Sequence, residues 1–334
     1  MGAPAELLPE PVRNGRKAVG NALLASLGTS VGIPLVAGVR DGCVYGLVAS
    51  GLVLIYKSNR IFNFAQAEFG SVAAFIALAF IKGLGPFPKV PYALALLFGI
   101  AAGAVTGLVT ERLVIRPLFN ASRAVLLVAT AGVALLLISL EAVILGTENL
   151  HVFPPVGASH HFALFGKPGS PHAFTFGFTD IDLLIGLVVI AALGIWFFQS
   201  RWGKSVLAVS QDVSAARTVG INVGRVSSLT WVIAGLVGGV AGVLYAPYKG
   251  AIPPGFMTGI GEIGPLVFGF IAAVLGGMTS LPGAFAGGIV VGIIGDFAQK
   301  YVPTSVPGAE QVVLASILLI VLVARPTGLL GREV

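Results

Sequence analysis

Four acidic residues, Glu68, Glu141, Glu262 and Asp296, sit within or beside long apolar runs. An ionised carboxylate at the middle of a bilayer costs about 2.5–3.5 kcal/mol even on the lenient insertion scale, so such groups must face protein or water. Two roles suit each of them: a station on a path for a polar solute or cation, or a hydrogen-bonding post that fixes helix packing. Glu141, in LLLISLEAVILG, lies deepest; Glu68 lies one to two turns into its run, and Glu262 and Asp296 near outer ends. Asn63 and Gln66 join Glu68 in the polar segment FNFAQAEF. Polar atoms gathered at the start of an apolar run can line a gate or satisfy a bent backbone.

Other chemistries lack their residues. The four histidines, His151, His160, His161 and His172, share one stretch with no cysteine beside them and no HxxxH pair, so no metal site is expected. No H-E-x-x-H, G-x-S-x-G or C-x-x-C element occurs, which leaves an enzyme without a constellation. WGKS at 202–205 resembles the end of a phosphate-binding loop, but the glycine required upstream is replaced by Phe198. The chain is thus expected to bind no nucleotide and no cofactor of its own. Cys43, the single cysteine, falls in an apolar run and is expected to be a small buried residue.

A second group of residues suggests mechanical rather than bond-making chemistry. The stretch SRWGKSVLAVSQDVSAARTVGINVGRVSS, residues 200–228, concentrates Arg201, Lys204, Asp212, Arg217 and Arg225 in a chain that is only 10% charged. Val206, Val209, Val213 and Ala216 recur at helical spacing, which predicts a short amphipathic surface helix over about 205–220. Such a helix lies on the bilayer interface or docks in a groove of a partner, its apolar stripe giving affinity and its charges setting register.

The elements that position these residues follow from composition. With 56% hydrophobic residues among 334 and a mean hydropathy of +0.96, the chain lies far from the balance of soluble domains, where about a quarter of residues are charged. The net charge of +6 resides in short loops rather than along one face, so nucleic acid is not an expected partner; a lipid bilayer is. Runs near the roughly 20 residues needed to cross a bilayer occur at about 18–39, 42–56, 62–82, 91–110, 124–146, 181–199, 226–246, 263–279, 282–299 and 310–324. The expected fold is an all-α polytopic membrane protein of about ten spans, eight to ten being plausible; the second run is short, and tilts or merges with the first around Arg40 and Asp41.

Orientation follows from the positive loops, which stay on the cytoplasmic side. Arg13, Arg16 and Lys17; Lys57 and Arg60; Arg112, Arg116 and Arg123; Arg201, Lys204, Arg217 and Arg225; and Arg325 and Arg332 fall on one side of a ten-span chain, against Lys82 and Lys89 on the other. The predicted organisation is a cytoplasmic segment at 1–17, a membrane domain at 18–324 and a cytoplasmic tail at 325–334. Within the membrane domain, a cytoplasmic loop lies at about 200–225 and an outer loop at about 147–180. The basic start and apolar run near the N-terminus also fit a cleaved signal, but the run exceeds the 7–15 residues of a signal core and no A-x-A site closes it.

Between helices in lipid, close approach must come from small residues. Gly99, Gly103 and Gly107 share one helix face; Gly235 with Gly239, and Gly288 with Gly292, do the same on two others, and tight packing is the expected role of all seven. PYKGAIPPGFMTGIGEIGPL, rich in proline and glycine between two apolar runs, reads as an irregular outer segment, either re-entrant or a surface loop.

Five blocks in order resemble the permease subunits of bacterial ABC importers for branched-chain amino acids, the LivH/LivM group. GLVLIYKSNRIFNFAQAEFG (51–70) is similar to the family segment ending N-F-A-H-G-E, with Gln66 for the histidine and Ala67 for the glycine. ERLVIRPLF (111–119) resembles its I-R-P-L loop, SQDVSAARTVGINVGRV (210–226) its Q-x-x-x-A-A-x-x-x-G-I loop, GGMTSLPGAFAGG (276–288) its G-G-x-x-S-x-P-G-A segment, and ARPTGLLG (324–331) its tail. The N-F-A block favours the LivH-like member. Ser214-Ala215-Ala216 with Gly220 also resembles the E-A-A-x-x-x-G coupling signature, with serine for the glutamate.

The resemblance implies a bacterial inner-membrane permease with a homologous LivM-like sister subunit, two cytoplasmic ABC ATPase subunits that carry ATP and Mg²⁺, and an extracytoplasmic substrate-binding protein. It assigns coupling to the ATPases to Val209, Gln211, Asp212, Ser214, Ala215, Ala216, Arg217, Gly220 and Ile221. The translocation pathway is then sought among Asn63, Gln66, Glu68, Glu141, Glu262 and Asp296. An ion-coupled carrier or channel is the alternative from a different class, and an intramembrane enzyme a third.

Overall fold

A computed structural model describes residues 28–146, 150–151, 161–165, 174–177, 199–259, 264–302, 308–324 and 328. After a π-helical turn (Gly28–Gly32), the described helices are α1 (Ile33–Asn59), α2 (Gln66–Lys82), α3 (Tyr92–Thr110) with a π-helical continuation (Glu111–Ile115), and α4 (Arg123–Leu145). Three short strands follow, β1 (Leu150–His151), β2 (His161–Phe165) and β3 (Phe174–Gly177). Then come α5 (Arg201–Gln211), α6 (Val213–Thr218), α7 (Val223–Lys249), β4 (Ala251–Ile252), α8 (Pro265–Gly276), α9 (Leu281–Tyr301) and α10 (Ala309–Ala324).

Five described stretches are long and apolar enough to cross a membrane: Ser30–Asn59, Tyr92–Ile115, Arg123–Ile144, Val223–Lys249 and Leu281–Tyr301. The chain is therefore a helical polytopic membrane protein. Ten separate spans are not what the described residues show. The run at 42–56 is no span of its own, because α1 passes unbroken through Arg40 and Asp41. The two charges stay within the helix by pairing: Arg40 Nε donates to Asp41 Oδ1 at 3.4 Å, and the guanidinium lies 3.5 Å from the centroid of the Tyr248 ring. The helices at the runs 62–82, 263–279 and 310–324 have 17, 12 and 16 residues, and α8 rises only about 18 Å at 1.5 Å per residue. All of the run at 181–199 but its last residue, the first 27 residues and most of the outer loop lie outside the described residues.

The fold also holds two small antiparallel ladders that hydropathy does not announce. β1 pairs with β4, Leu150 opposite Ile252, and β2 pairs with β3.

Glycine decides which helices touch. A Cβ on Gly103 would lie 2.8 Å from the Gly235 carbonyl oxygen and 3.0 Å from that of Phe69, so α3 rests on α7 and α2 backbone to backbone. Gly99 meets the Ala73 carbonyl and Gly107 the Trp231 carbonyl, extending that contact along α3, and Gly239 faces Ala73 and Ile100. A second seam joins α1 to α9. Gly38, Gly42 and Gly46 recur every fourth residue on α1 and face Gly288, Ile289, Gly292 and Ile293; a Cβ on Gly42 would lie 2.6 Å from the Ile289 Cα. Cys43 is buried beside this seam, in a core shared with Phe75, Tyr245, Ile252 and Met257.

Candidate functional site

The polar segment at 59–71 is built on a bend. Arg60 ends α1 in the left-handed region (φ 56°), residues 61–65 turn back, and α2 begins at Gln66. Thr130 of α4 pins the bend from the side: its Oγ1 accepts from Phe64 N at 3.3 Å and lies 3.3 Å from the Phe62 carbonyl. Asn63 Oδ1 accepts from Ala65 N at 3.1 Å, and its Nδ2 donates to Gln66 Oε1 at 3.4 Å. Gln66 Nε2 donates to the Ala234 carbonyl of α7 at 2.9 Å. Gly51 of α1 leaves the room this amide occupies, since a Cβ there would collide with it. Both amides are fully buried and satisfy neighbouring groups, which is how a bend survives where water is scarce.

Glu68 and Glu141 meet the irregular segment after α7. Gly250 and Gly255 take left-handed φ of 72° and 71°, and the chain tucks inward so that Ile252 and Met257 are fully buried. Residues 251–257 are therefore packed into the helix bundle rather than laid over its surface. Gly255 N donates to Glu141 Oε2 at 3.0 Å, Met257 N to Ser71 Oγ at 3.4 Å, and the Thr258 hydroxyl bonds the Glu68 carboxylate. Three side chains from α2 and α4 thus hold one turn. Each carboxylate keeps a second oxygen, Glu68 Oε2 and Glu141 Oε1, that is buried without a hydrogen-bond partner. Burying such an oxygen unpaired is costly, so the pair suits an ammonium group, a cation or ordered water.

Of the other acidic candidates, Asp296 is the one among the described residues, and it is on a different helix from this pair. Asp296 lies one helical turn beyond Gly292 on α9, at the end where that helix packs on the start of α1. Glu262 lies outside the described residues, as do His160 and His172. Ser71 and Thr130 belong to the site but carry no sequence signal, because hydroxyls in apolar helices commonly bond their own backbone; Thr258 belongs to it from the turn after β4.

Among the described residues, the ends of α1 and α3 meet the start of α7 at one end of the bundle. Asn59 Nδ2 donates to Ser227 Oγ at 2.9 Å, joining the end of α1 to the start of α7. Arg116 Nη2 reaches both carboxylate oxygens of Glu111 at 3.2 Å, and Ser228 Oγ at 2.6 Å. Ser228 in turn donates to Glu111 Oε2 at 2.9 Å.

At this end the predicted single amphipathic helix is two. α5 starts at Ser200, whose Oγ accepts from Gly203 N at 3.2 Å, and stops at Asp212, which is extended (φ −150°, ψ 113°). Asp212 Oδ1 then accepts from Ser214 N at 2.7 Å and Ala215 N at 3.0 Å, capping α6. The apolar stripe is spent on the chain itself. Val206, Val209 and Ala216 are buried among Leu54, Ile55, Ile61, Ile115 and Val223, with Val213 and Ile221 packed alongside. The stripe therefore offers no affinity to a partner or to lipid, contrary to the amphipathic expectation; a periodic stripe does not say which surface will cover it. What faces outward is Gln211, Asp212, Ser214, Ala215, Arg217 and Gly220, the last with φ 81° where only glycine is unstrained.

Comparison with known proteins bears on this arrangement. Residues 35–323 match the family described as branched-chain amino acid transport system / permease component. The chain is 31% identical over 304 residues to the high-affinity branched-chain amino acid transport system permease protein LivH of Salmonella typhimurium strain LT2, covering 88% of this chain and 94% of that one. It is 32% identical over 308 residues to the corresponding protein BraD of Pseudomonas aeruginosa, covering 89% and 95%. At 28% identity over 309 residues it is similar to the autoinducer 2 import system permease protein LsrD of Escherichia coli O157:H7, covering 90% and 85%. Among solved structures, PsaBC from Streptococcus pneumoniae in complex with Fab aligns over 87% of this chain and 90% of that chain at 17% identity, with a TM-score of 0.43. With a family match running from α1 to α10 and relatives aligned over nearly their whole length, the chain belongs to the family of branched-chain amino acid transport system permease components.

Proposed function

We propose that this chain is the LivH-like permease subunit of an ATP-driven importer that passes branched-chain amino acids, or a related small polar solute, across a bacterial inner membrane. In this reading it pairs with a homologous LivM-like permease, receives solute from an extracytoplasmic binding protein, and is driven by two cytoplasmic ATPase subunits that hold ATP and Mg²⁺. The carrying observation is the docked pair α5–α6. Its apolar stripe is buried in the bundle while Gln211, Ser214, Ala215 and Arg217 are presented outward at the end where α1 and α3 meet the start of α7. A helix pair seated this way transmits a push to α1 and α7 instead of flexing. The positive-inside rule makes that end cytoplasmic.

The buried pair Glu68 and Glu141 is the proposed pathway station, with the turn at 255–258 as its gate. An α-ammonium group is the part of an amino acid that two carboxylate oxygens without partners would attract. The relative named for autoinducer 2 import supports keeping the solute class broad, with selection resting largely on the binding protein.

The test uses exposed positions, so that loss of coupling is not confused with misfolding. Ala215→Glu and Arg217→Glu are expected to detach the ATPase subunits during purification and abolish uptake, while the permease itself stays monodisperse. Isolated wild-type chain is expected to hydrolyse no ATP. If both variants retain the ATPases and normal uptake, α6 is not the coupling element.

A further inference from the structure

We infer that the cleft between the π-helical end of α3 and the start of α7 holds one anionic phospholipid, with its phosphate on arginine side chains and an acyl chain along α7. The cleft has a volume of about 570 Å³ and is lined by Arg112, Arg116, Trp202, Arg225, Leu229 and Val232, among others. Its polarity is graded. On α7, Arg225, Ser228, Leu229 and Val232 fall at i, i+3, i+4 and i+7, so one face runs from cation to hydroxyl to hydrocarbon within two turns. On α3 and its π-helical continuation, Val109 and Leu113 flank Arg112 and are 46% and 72% exposed, which marks the outer wall as a surface that faces acyl chains.

The charge of the cleft is not balanced from within. Arg116 is matched by Glu111 and held by Ser228 and the Gly224 carbonyl. Arg112 and Arg225 have no ion pair among the described residues, so two cations stand beside a neutral pair. The start of α7, capped by Asn222 accepting from Arg225 N at 3.1 Å, adds the positive end of a long helix. Trp202, 54% exposed, places an indole at the same level, as side chains with one apolar and one polar edge do at a membrane boundary.

Only a phospholipid matches both halves of this surface. A free phosphate would use the arginines and leave the Leu229–Val232 wall empty. A cytoplasmic protein would meet α6 at the end of the bundle rather than a cleft whose walls continue into the lipid-facing sides of α3 and α7. Clustered Lys and Arg at a membrane surface attract anionic headgroups. The inference holds whichever solute the chain passes.

The experiment is native mass spectrometry of the purified full-length chain with added phosphatidylglycerol, phosphatidylcholine or inorganic phosphate. Wild type is expected to retain one phosphatidylglycerol and far less phosphatidylcholine, and millimolar inorganic phosphate is expected not to displace the lipid. Arg112→Gln/Arg225→Gln is expected to weaken retention about 25-fold, from roughly fivefold per arginine at a membrane surface. Arg112→Lys/Arg225→Lys keeps the charges and is expected to retain most of the lipid; if it loses as much as the glutamine pair, the effect is not one of charge and the inference fails. It is also overturned if wild type and the glutamine variant hold phosphatidylglycerol equally, if phosphatidylcholine binds as well, or if inorganic phosphate displaces the lipid. Release of the ATPase subunits by the glutamine variant, with lipid retention unchanged, would make the cleft a protein dock instead.

Discussion

The turn at Gly255–Thr258 provides a direct test of how the inward-packed segment is held. Glu141 supplies the acceptor for Gly255 N at 3.0 Å. In Glu141→Leu that amide is buried without a partner, which costs about 1–3 kcal/mol. Taking about 2 kcal/mol, the population in which the turn has left its seat rises about 30-fold. Met257 is fully buried in the seated turn, so a thiol placed there reports departure. With Cys43→Ala removing the single native cysteine, Met257→Cys is labelled by a maleimide in proportion to the unseated population, provided that opening and closing outpace the reagent. Glu141→Leu is expected to raise the labelling rate about 30-fold, while Glu141→Gln, which keeps an oxygen acceptor, raises it less than about threefold. Equal rates in all three proteins would show that Glu141 does not hold the turn. Equal increases in the leucine and glutamine variants would show that charge, rather than the hydrogen bond, is what seats it.

Two further outcomes follow from the packing and the cap. Gly103→Ala forces a methyl against the Gly235 carbonyl at 2.8 Å and is expected to cost about 1–3 kcal/mol, whereas Gly132→Ala, with no atom within 4 Å of the new carbon, is expected to be neutral or to gain up to about 1 kcal/mol from helix propensity; thermal unfolding followed by size exclusion distinguishes them, and equal shifts contradict the seam. Asp212→Ala removes the cap of α6 and is expected to cost about 1 kcal/mol, read as roughly fivefold faster amide exchange over residues 213–218 with α9 unchanged; exchange that stays slow means that burial of Ala216, not the cap, sets the stability of α6.

Cost made some of this legible in the sequence. A carboxylate in an apolar run is expensive enough to single out Glu68 and Glu141, and prolines with glycines single out the segment at 247–265. What periodicity carries is a face, not its partner. The stripe Val206, Val209, Val213 and Ala216 announces burial, yet whether its own bundle or another protein covers it depends on contacts with Leu54 and Ile115, more than 80 residues upstream. The same stripe keeps its phase across Asp212 and so hides the break, although Asp is a favoured N-cap residue. Arg40 and Asp41 look like a loop because the ring that accepts the guanidinium, Tyr248, lies some 200 residues away in the sequence. The stripe Gly38, Gly42 and Gly46 has the same spacing as Gly99, Gly103 and Gly107, yet the spacing does not name Gly288 and Gly292 as what stands opposite.

That seam between α1 and α9 limits how the protein can change shape. Where main chain touches main chain, no side chain is available to swing aside, and a slide of even one residue, about 1.5 Å, would drive a Cα into a space left for nothing larger than hydrogen. The two helices consequently travel as a single strut. Rearrangement that opens one side of the membrane and closes the other must pivot around that strut, at contacts cushioned by side chains.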